Sequence, residues 1–230
     1  MNDSVKATIS SSGILRICGN GKMKNFTTEN PAPWQGIEKY IKQVVIYDGI
    51  KNIGDETFKN CTNLTNINIP SSVISIEKYA FCGCRSLVSI DIPNKVTSIG
   101  DWTFANCESL KNINIPNSIT NIGEYAFSLC KNLTNIKISN NVTSMKGYVF
   151  YNWTENQTID CTDFDSAPSG WDKNWNGSCK ATIKWKTAAN IPVTGITLNK
   201  TNTTLAINAK ETLTATLSPT NATNKEITWE

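Results

Sequence analysis

The chain has no histidine in 230 residues. That absence excludes Ser-His and Cys-His nucleophilic catalysis, histidine-ligated zinc and the usual acid–base group of neutral pH. Charge is also scarce: 22 Lys and Arg face 19 Asp and Glu, for a net charge of +3. This balance offers no basic footprint for nucleic acid and no polybasic run for a membrane surface. No apolar stretch approaches the roughly 18 residues that a membrane span needs. The opening MNDSVKATISSSG lacks the charged head and apolar body of a secretion signal. A secreted form is therefore expected to carry its leader outside this sequence. No cofactor and no metal site are expected.

What is abundant is Asn, Thr, Ser and Ile, a mix that suits β-structure with many turns. These residues fall into a repeat. The units are IKNIGDETFKNCTNLTNINIPSS (50–72), VISIEKYAFCGCRSLVSIDIPNK (73–95), VTSIGDWTFANCESLKNINIPNS (96–118) and ITNIGEYAFSLCKNLTNIKISNN (119–141). A degraded unit starts at Val142. The segment L-x-x-I-x-I-P alternates apolar and polar positions, as a strand with one buried face does. Ile67 and Ile69 point inward, and Asn66 and Asn68 outward. Pro70 stops the strand because it has no N–H for the ladder. A second β-like piece, VTSIG, follows, and Gly100 or Gly123 is read as turning the chain. The aromatic-to-Cys spacing after it fits one helical turn. One unit cannot bury its own apolar side; stacked units cover each other.

The phrase VTSIGDWTFANCESLKNINIP resembles the BspA-type, or Treponema-type, leucine-rich repeat. Residues 13–50 resemble the N-terminal cap of such arrays and residues 153–185 the C-terminal cap. Two departures stand out: Cys82 in FCGC and Lys146 in SMKGY. After KTAANIP, the segment VTGITLNK…LTATLSP…ITW resembles the opening of a bacterial Ig-like domain of group 2. Such sandwiches run to about 100 residues, so this one is read as incomplete, with an irregular or poorly ordered tail. The expected fold is mainly β: a leucine-rich-repeat solenoid of 23-residue coils with terminal caps, then an incomplete Ig-like segment. The expected domains are an N-terminal cap (1–49), a solenoid (50–152), a C-terminal cap (153–186), a linker (187–192) and a truncated Ig-like domain (193–230).

The repeat also arranges the candidate chemistry. Cys61, Cys84, Cys107 and Cys130 recur at one position per unit. Coils stack at about 4.8 Å, so four such thiols form a line and not the tetrahedron zinc requires. They are read as a structural row of buried thiols. Cys161 and Cys179 either form a disulfide or pack separately. DKNWNG (172–177) matches half of a calcium loop, but the acid required at loop position 12 falls on Ile183. Trp171 and Trp175 either cover the last coil or stack on a sugar. The sequons at Asn63 and Asn141 matter only in a secretory eukaryote.

The outward strand positions form two columns, Asn66, Ser89, Asn112 and Asn135 beside Asn68, Asp91, Asn114 and Lys137. Either they bind a partner, as concave solenoid sheets do, or their amides bond along the ladder and only solubilise the face. The resemblance implies a non-enzymatic adhesion module, at the bacterial cell surface or secreted, that binds host or bacterial extracellular proteins as a monomer. The alternatives are a stalk or targeting module of a larger secreted enzyme, and a carbohydrate-binding surface protein.

Overall fold

The structure is a computed structural model that describes residues 5–187, 192–202, 204, 205, 207–220 and 222–228. It contains two compact units, Met1–Lys186 and Thr187–Glu230.

The first unit is a stack of coils, and those before the C-terminal segment each contribute one strand to a front face and one to a back sheet. The front sheet begins with the antiparallel pair β1 (Val5–Ile9) and β2 (Ile14–Gly19). It continues in parallel through β4 (Gln43–Ile46) and β6 (Asn66–Asn68). Next come β8 (Ser89–Asp91) and β10 (Asn112–Asn114), paired with each other. β12 (Asn135–Lys137), β14 (Thr158–Cys161) and β15 (Thr182–Trp185) complete it. The back sheet runs β3 (Gly21–Lys22), β5 (Ile50–Ile53), β7 (Ser75–Ile76), β9 (Ser98–Ile99), β11 (Asn121–Ile122) and β13 (Ser144–Met145). All its pairs are parallel; from β5 to β13 they keep one register, for example Asn121↔Ser98 and Ile122↔Ile99, while the β3–β5 pair shifts between Gly21 and Lys22. The front face thus consists of three hydrogen-bonded ladders, in which β1, β2 and β4 join β6, and β14 and β15 join β12.

Between the sheets lies one continuous apolar core. Phe58, Phe81, Phe104, Phe127 and Phe150 are all fully buried. Their rings stack coil upon coil at centroid separations of 5.4, 5.5, 5.6 and 6.0 Å. Trp34 stacks on Phe58 at one end, and Trp153 and Trp175 meet Phe150 edge-on at the other.

The edge carrying the aromatic–Cys segment corrects the helical-turn expectation. No α-helix occurs among the described residues; the regular helical element is a 3-10 turn at Glu38–Tyr40. Alternate residues there divide their N–H groups. Glu56, Phe58 and Asn60 donate to Lys78, Ala80 and Cys82 of the next coil at 3.0, 2.8 and 2.7 Å. Lys59 and Cys61 donate back to Glu56 and Phe58 within their own coil. An α-helix would spend every N–H inside the coil. Splitting them forces left-handed backbone at Glu56 (φ 53°), Tyr79 (56°), Trp102 (58°), Tyr125 (53°) and Tyr148 (57°). That conformation is disfavoured for side-chain-bearing residues, and the coil-to-coil bonds offset it.

The glycines act differently from the expected turn-making. Gly100 and Gly123 lie outside the left-handed set. A Cβ on Gly123 would sit 2.4 Å from the Asp101 nitrogen and 2.5 Å from the Gly100 carbonyl carbon. Glycine is needed there because the coil below approaches too closely for any side chain.

The second unit pairs β16 (Gly195–Leu198) with β17 (Ala215–Ser218) antiparallel, and no other strand occurs among its described residues. Ile196, Leu198, Leu205 and Leu213 of this unit are exposed.

Candidate functional site

The front sheet places both polar columns on the solvent side. Asn66, Ser89, Asn112 and Asn135 are exposed, as are Asn68, Asp91, Asn114 and Lys137. The intervening Ile67, Ile90 and Ile136 are buried, so the period-2 alternation points the polar residues outward. Cross-strand pairing aligns Asn112 with Ser89, Asn114 with Asp91, Asn66 with Gln43 and Asn135 with Thr158. Gln43, Thr158 and Thr182 thus extend the first column, and Asp160 and Lys184 the second. The sequence units hid these extensions because they lie in segments that depart from the repeat.

The amides of Asn66, Asn68, Asn112, Asn114 and Asn135 form no hydrogen bond with the protein. These five side chains therefore do not bond along the ladder, and as exposed amides they solubilise the face in either case. Other Asn columns do bond that way. Asn63, Asn132 and Asn141 each donate to a backbone carbonyl of the preceding coil at 2.7–2.8 Å. On the strand face, Lys137 pairs with Asp163 at 3.3 Å. The Thr162 hydroxyl and N–H donate to Asp160 and hold its carboxyl below the usual range, against a smaller opposing effect of burial.

The cysteine row lies inside. Cys61, Cys84, Cys107 and Cys130 are fully buried free thiols. Cys84, Cys107 and Cys130 donate S–H to the carbonyls of Phe58, Phe81 and Phe104 at 3.1–3.2 Å. Burial pushes Cys61 and Cys130 up to about 12 and raises Cys84 and Cys107 as well. The degraded unit puts Trp153 in this place, and its Nε1 donates to the Phe127 carbonyl at 2.8 Å.

Cys161 and Cys179 are free thiols, so the bridged alternative is not what the structure shows. Cys161 sits in the β14–β15 ladder opposite Trp185, while the Cys179 N–H closes a turn onto Asn176. Trp171 and Trp175 are each 6% exposed, packed against each other and Trp185. They offer no open platform to a sugar. Residues 172–177 form a turn in which Trp175 donates to the Asp172 carbonyl.

One feature escaped the sequence reading. Tyr79, Trp102, Tyr125 and Tyr148 form a half-exposed ribbon along the turn edge, with centroids 6.0, 4.2 and 5.2 Å apart and ring planes within about 21°. Its signal was present in KYAF, DWTF, EYAF and GYVF. The ring faces cover one another and leave mainly edges to solvent.

A stack of parallel coils with a polar, exposed front face is the architecture of a solenoid repeat protein. The chain belongs to the BspA type leucine rich repeat family, whose profile matches residues 38–166 in 6 copies. Residues 192–230 match a bacterial Ig-like domain of group 2. Neither is a catalytic family. Among solved structures, the leucine rich repeat protein of T. pallidum is 20% identical, with a TM-score of 0.55 over 69% of this chain and 79% of that one. A leucine rich cell surface protein from Faecalibacterium prausnitzii A2-165 is 24% identical, with a TM-score of 0.49 over 76% of this chain and 56% of that one. At these identities the likeness is one of fold. A curated relative, an Ig-like virion protein of Serratia phage KSP90, is 47% identical over 53 residues. The match spans 23% of this chain and 19% of that protein.

Proposed function

We propose that the chain is a non-enzymatic adhesion module of a bacterial surface or secreted protein, and that it binds an extracellular partner through the front sheet. The observation that carries this is the row of exposed Asn amides with no protein partner. Each amide offers two donors and an acceptor in fixed register. Solenoids use such sheets as extended binding surfaces, whereas the Asn63 and Asn132 amides beside the sheet are engaged with backbone carbonyls of the preceding coil. The match to the BspA type repeat family and to an Ig-like virion protein supports a location outside the cell. The test replaces Asn68, Asp91, Asn114 and Lys137 together by Ala and measures binding to immobilised extracellular matrix proteins. A loss of tenfold or more with an unchanged melting curve is expected; unchanged affinity would move the site off this face.

A further inference from the structure

The charges of the front face are sorted by ladder. The first ladder, β1–β2–β4–β6, contains no acidic residue. Its outward side carries Lys6 and Arg16, both exposed and without an ion pair among the described residues. The chain holds two arginines, and the other, Arg85, already reaches Glu108 at 3.9 Å. Asp48, in the turn after β4, pairs with neither Lys6 nor Arg16.

The surroundings of Arg16 differ from the polar columns of the repeat. Register sets Arg16 opposite Val45, and Val45 opposite Asn68. Leu15, Ile17, Val44 and Ile46 are buried, so alternation turns Arg16, Val45 and Tyr47 to the outer face. Val45 is half-buried and Tyr47 is 48% exposed. The Tyr47 N–H donates to the Ile17 carbonyl at 2.9 Å, which fixes it to the ladder. An arginine and a tyrosine over an aliphatic base have the composition of a protein-binding hot spot. A guanidinium without a partner fits a carboxylate, which it meets with two parallel hydrogen bonds.

The second ladder, β8–β10, has the opposite sign. Asp91 is exposed and has no ion pair. It borders a hollow of about 230 Å3 with Ser89, Asn112, Asn114 and Asn135, and no cation lines it. The half-buried Ile113 supplies aliphatic surface there. A carboxylate and amide oxygens beside aliphatic carbon suit the stem and head of a Lys or Arg side chain.

Spacing joins the two places. From β2 through β4 and β6 to β8 there are three strand spacings of about 4.8 Å, or about 14 Å. An extended peptide advances about 3.4 Å per residue, so four residues cover the same distance and put both end side chains on one face. We infer that the front sheet takes an extended polypeptide segment laid across the coils. An acidic residue of that segment meets Arg16. An apolar residue two positions on rests on Val45 and Tyr47, and a basic residue four positions on enters the hollow at Asp91. This rests on the front sheet being the adhesive face, and it names the chemistry of the protein partner.

The full chain is tested on surfaces carrying Ser-Glu-Thr-Leu-Thr-Lys-Ser, the reverse order Ser-Lys-Thr-Leu-Thr-Glu-Ser, and the same residues with Glu and Lys only two apart. Saturable binding to at least one of the first two is expected, with the third tenfold weaker or worse. Arg16→Glu and Asp91→Lys should each weaken binding tenfold or more with unchanged melting curves, both positions being exposed. Arg16→Glu should gain the peptide with Lys at both places, and Asp91→Lys the peptide with Glu at both. Lys51→Glu, on the back sheet, makes the same change in net charge as Arg16→Glu and should alter binding less than twofold. Failure of both peptide orders, or equal losses in Lys51→Glu and Arg16→Glu, overturns the inference. Binding to heparin but to neither peptide, lost in Arg16→Glu, overturns it in favour of an anionic glycan. Matrix-protein binding that falls in the Asn68/Asp91/Asn114/Lys137 variant but not in Arg16→Glu overturns the segment and leaves the adhesive face standing. Matrix-protein binding insensitive to both overturns both.

Discussion

At the scale of single residues, Cys84, Cys107 and Cys130 are small core fillers that also donate to a carbonyl, and Cys61 fills the same place in the first unit. The Phe58 carbonyl accepts from the Cys61 N–H and the Cys84 S–H together. The substitution of Trp153 for cysteine in the last unit preserves the donor and changes the volume, as a coil that meets a cap requires. Two predictions follow from the burial of these thiols. In the native protein an aromatic disulfide reagent at pH 8 should label the exposed Cys18 rapidly and leave Cys61, Cys84, Cys107 and Cys130 unmodified, with all eight thiols reacting in denaturant. Rapid labelling of more than the exposed and half-buried thiols would contradict the packing. Stability should also depend on alkaline pH. A free thiol ionises near pH 8.5, while Cys61 and Cys130 are pushed up to about 12 in the fold. Their protonated forms contribute fully below about pH 8.5, and that contribution is lost as pH rises toward 12, because the unfolded chain then binds fewer protons. The slope is about 1.4 kcal/mol per pH unit per thiol. Urea midpoints at pH 8, 9, 10 and 11 should fall steeply, and Cys130→Ala should flatten the fall; parallel profiles for the two proteins would count against this.

At the scale of elements, the strands were legible in the sequence and the turn edge was not. The L-x-x-I-x-I-P segment carries its strand in local alternation, and β6, β8, β10 and β12 fall where that alternation lies. The aromatic–Cys segment has a local spacing that suits a helix. Its conformation is decided instead by N–H groups that reach the next coil, such as Phe81 to Thr103 and Phe104 to Ala126. No local pattern reports a partner 22 residues away in the chain. The polar columns could be read from the repeat, whereas the pairing of Lys137 with Asp163 of the following coil could not, because Asp163 lies in a segment that departs from the repeat. The close approach at Gly123 gives a sharp test. Gly123→Ala should destabilise by about 1–3 kcal/mol through overpacking. Gly147→Ala, whose Cβ would meet nothing nearer than 3.7 Å, should stay within about 0.5 kcal/mol. Equal melting temperatures for the two variants would show that the coils are spaced differently.

At the scale of the whole molecule, the solenoid is a one-dimensional stack whose ends must be covered. Trp34 covers one end of the Phe column, and Trp153, Trp171 and Trp175 cover the other. Replacing Trp153 by Ala should cost about 3–5 kcal/mol, because it removes both a fully buried ring and the donor to Phe127. Chemical denaturation checks this, and a loss below 1 kcal/mol would show that the cap is dispensable. The stack also explains why function is sought on a surface: the repeat turns single side chains into columns, and the front columns set exposed Asn amides without protein partners side by side on one strand face. The most direct test compares two quadruple alanine variants in one binding assay on matrix-coated surfaces. One replaces Asn68, Asp91, Asn114 and Lys137 of the front sheet. The other replaces Lys51, Ile74, Thr97 and Thr143, which are exposed along the back-sheet side. With both variants folded, the front-sheet protein should lose at least tenfold in affinity and the back-sheet protein less than twofold. Equal losses, or a loss confined to the back-sheet variant, would contradict the assignment of the front sheet as the adhesive face.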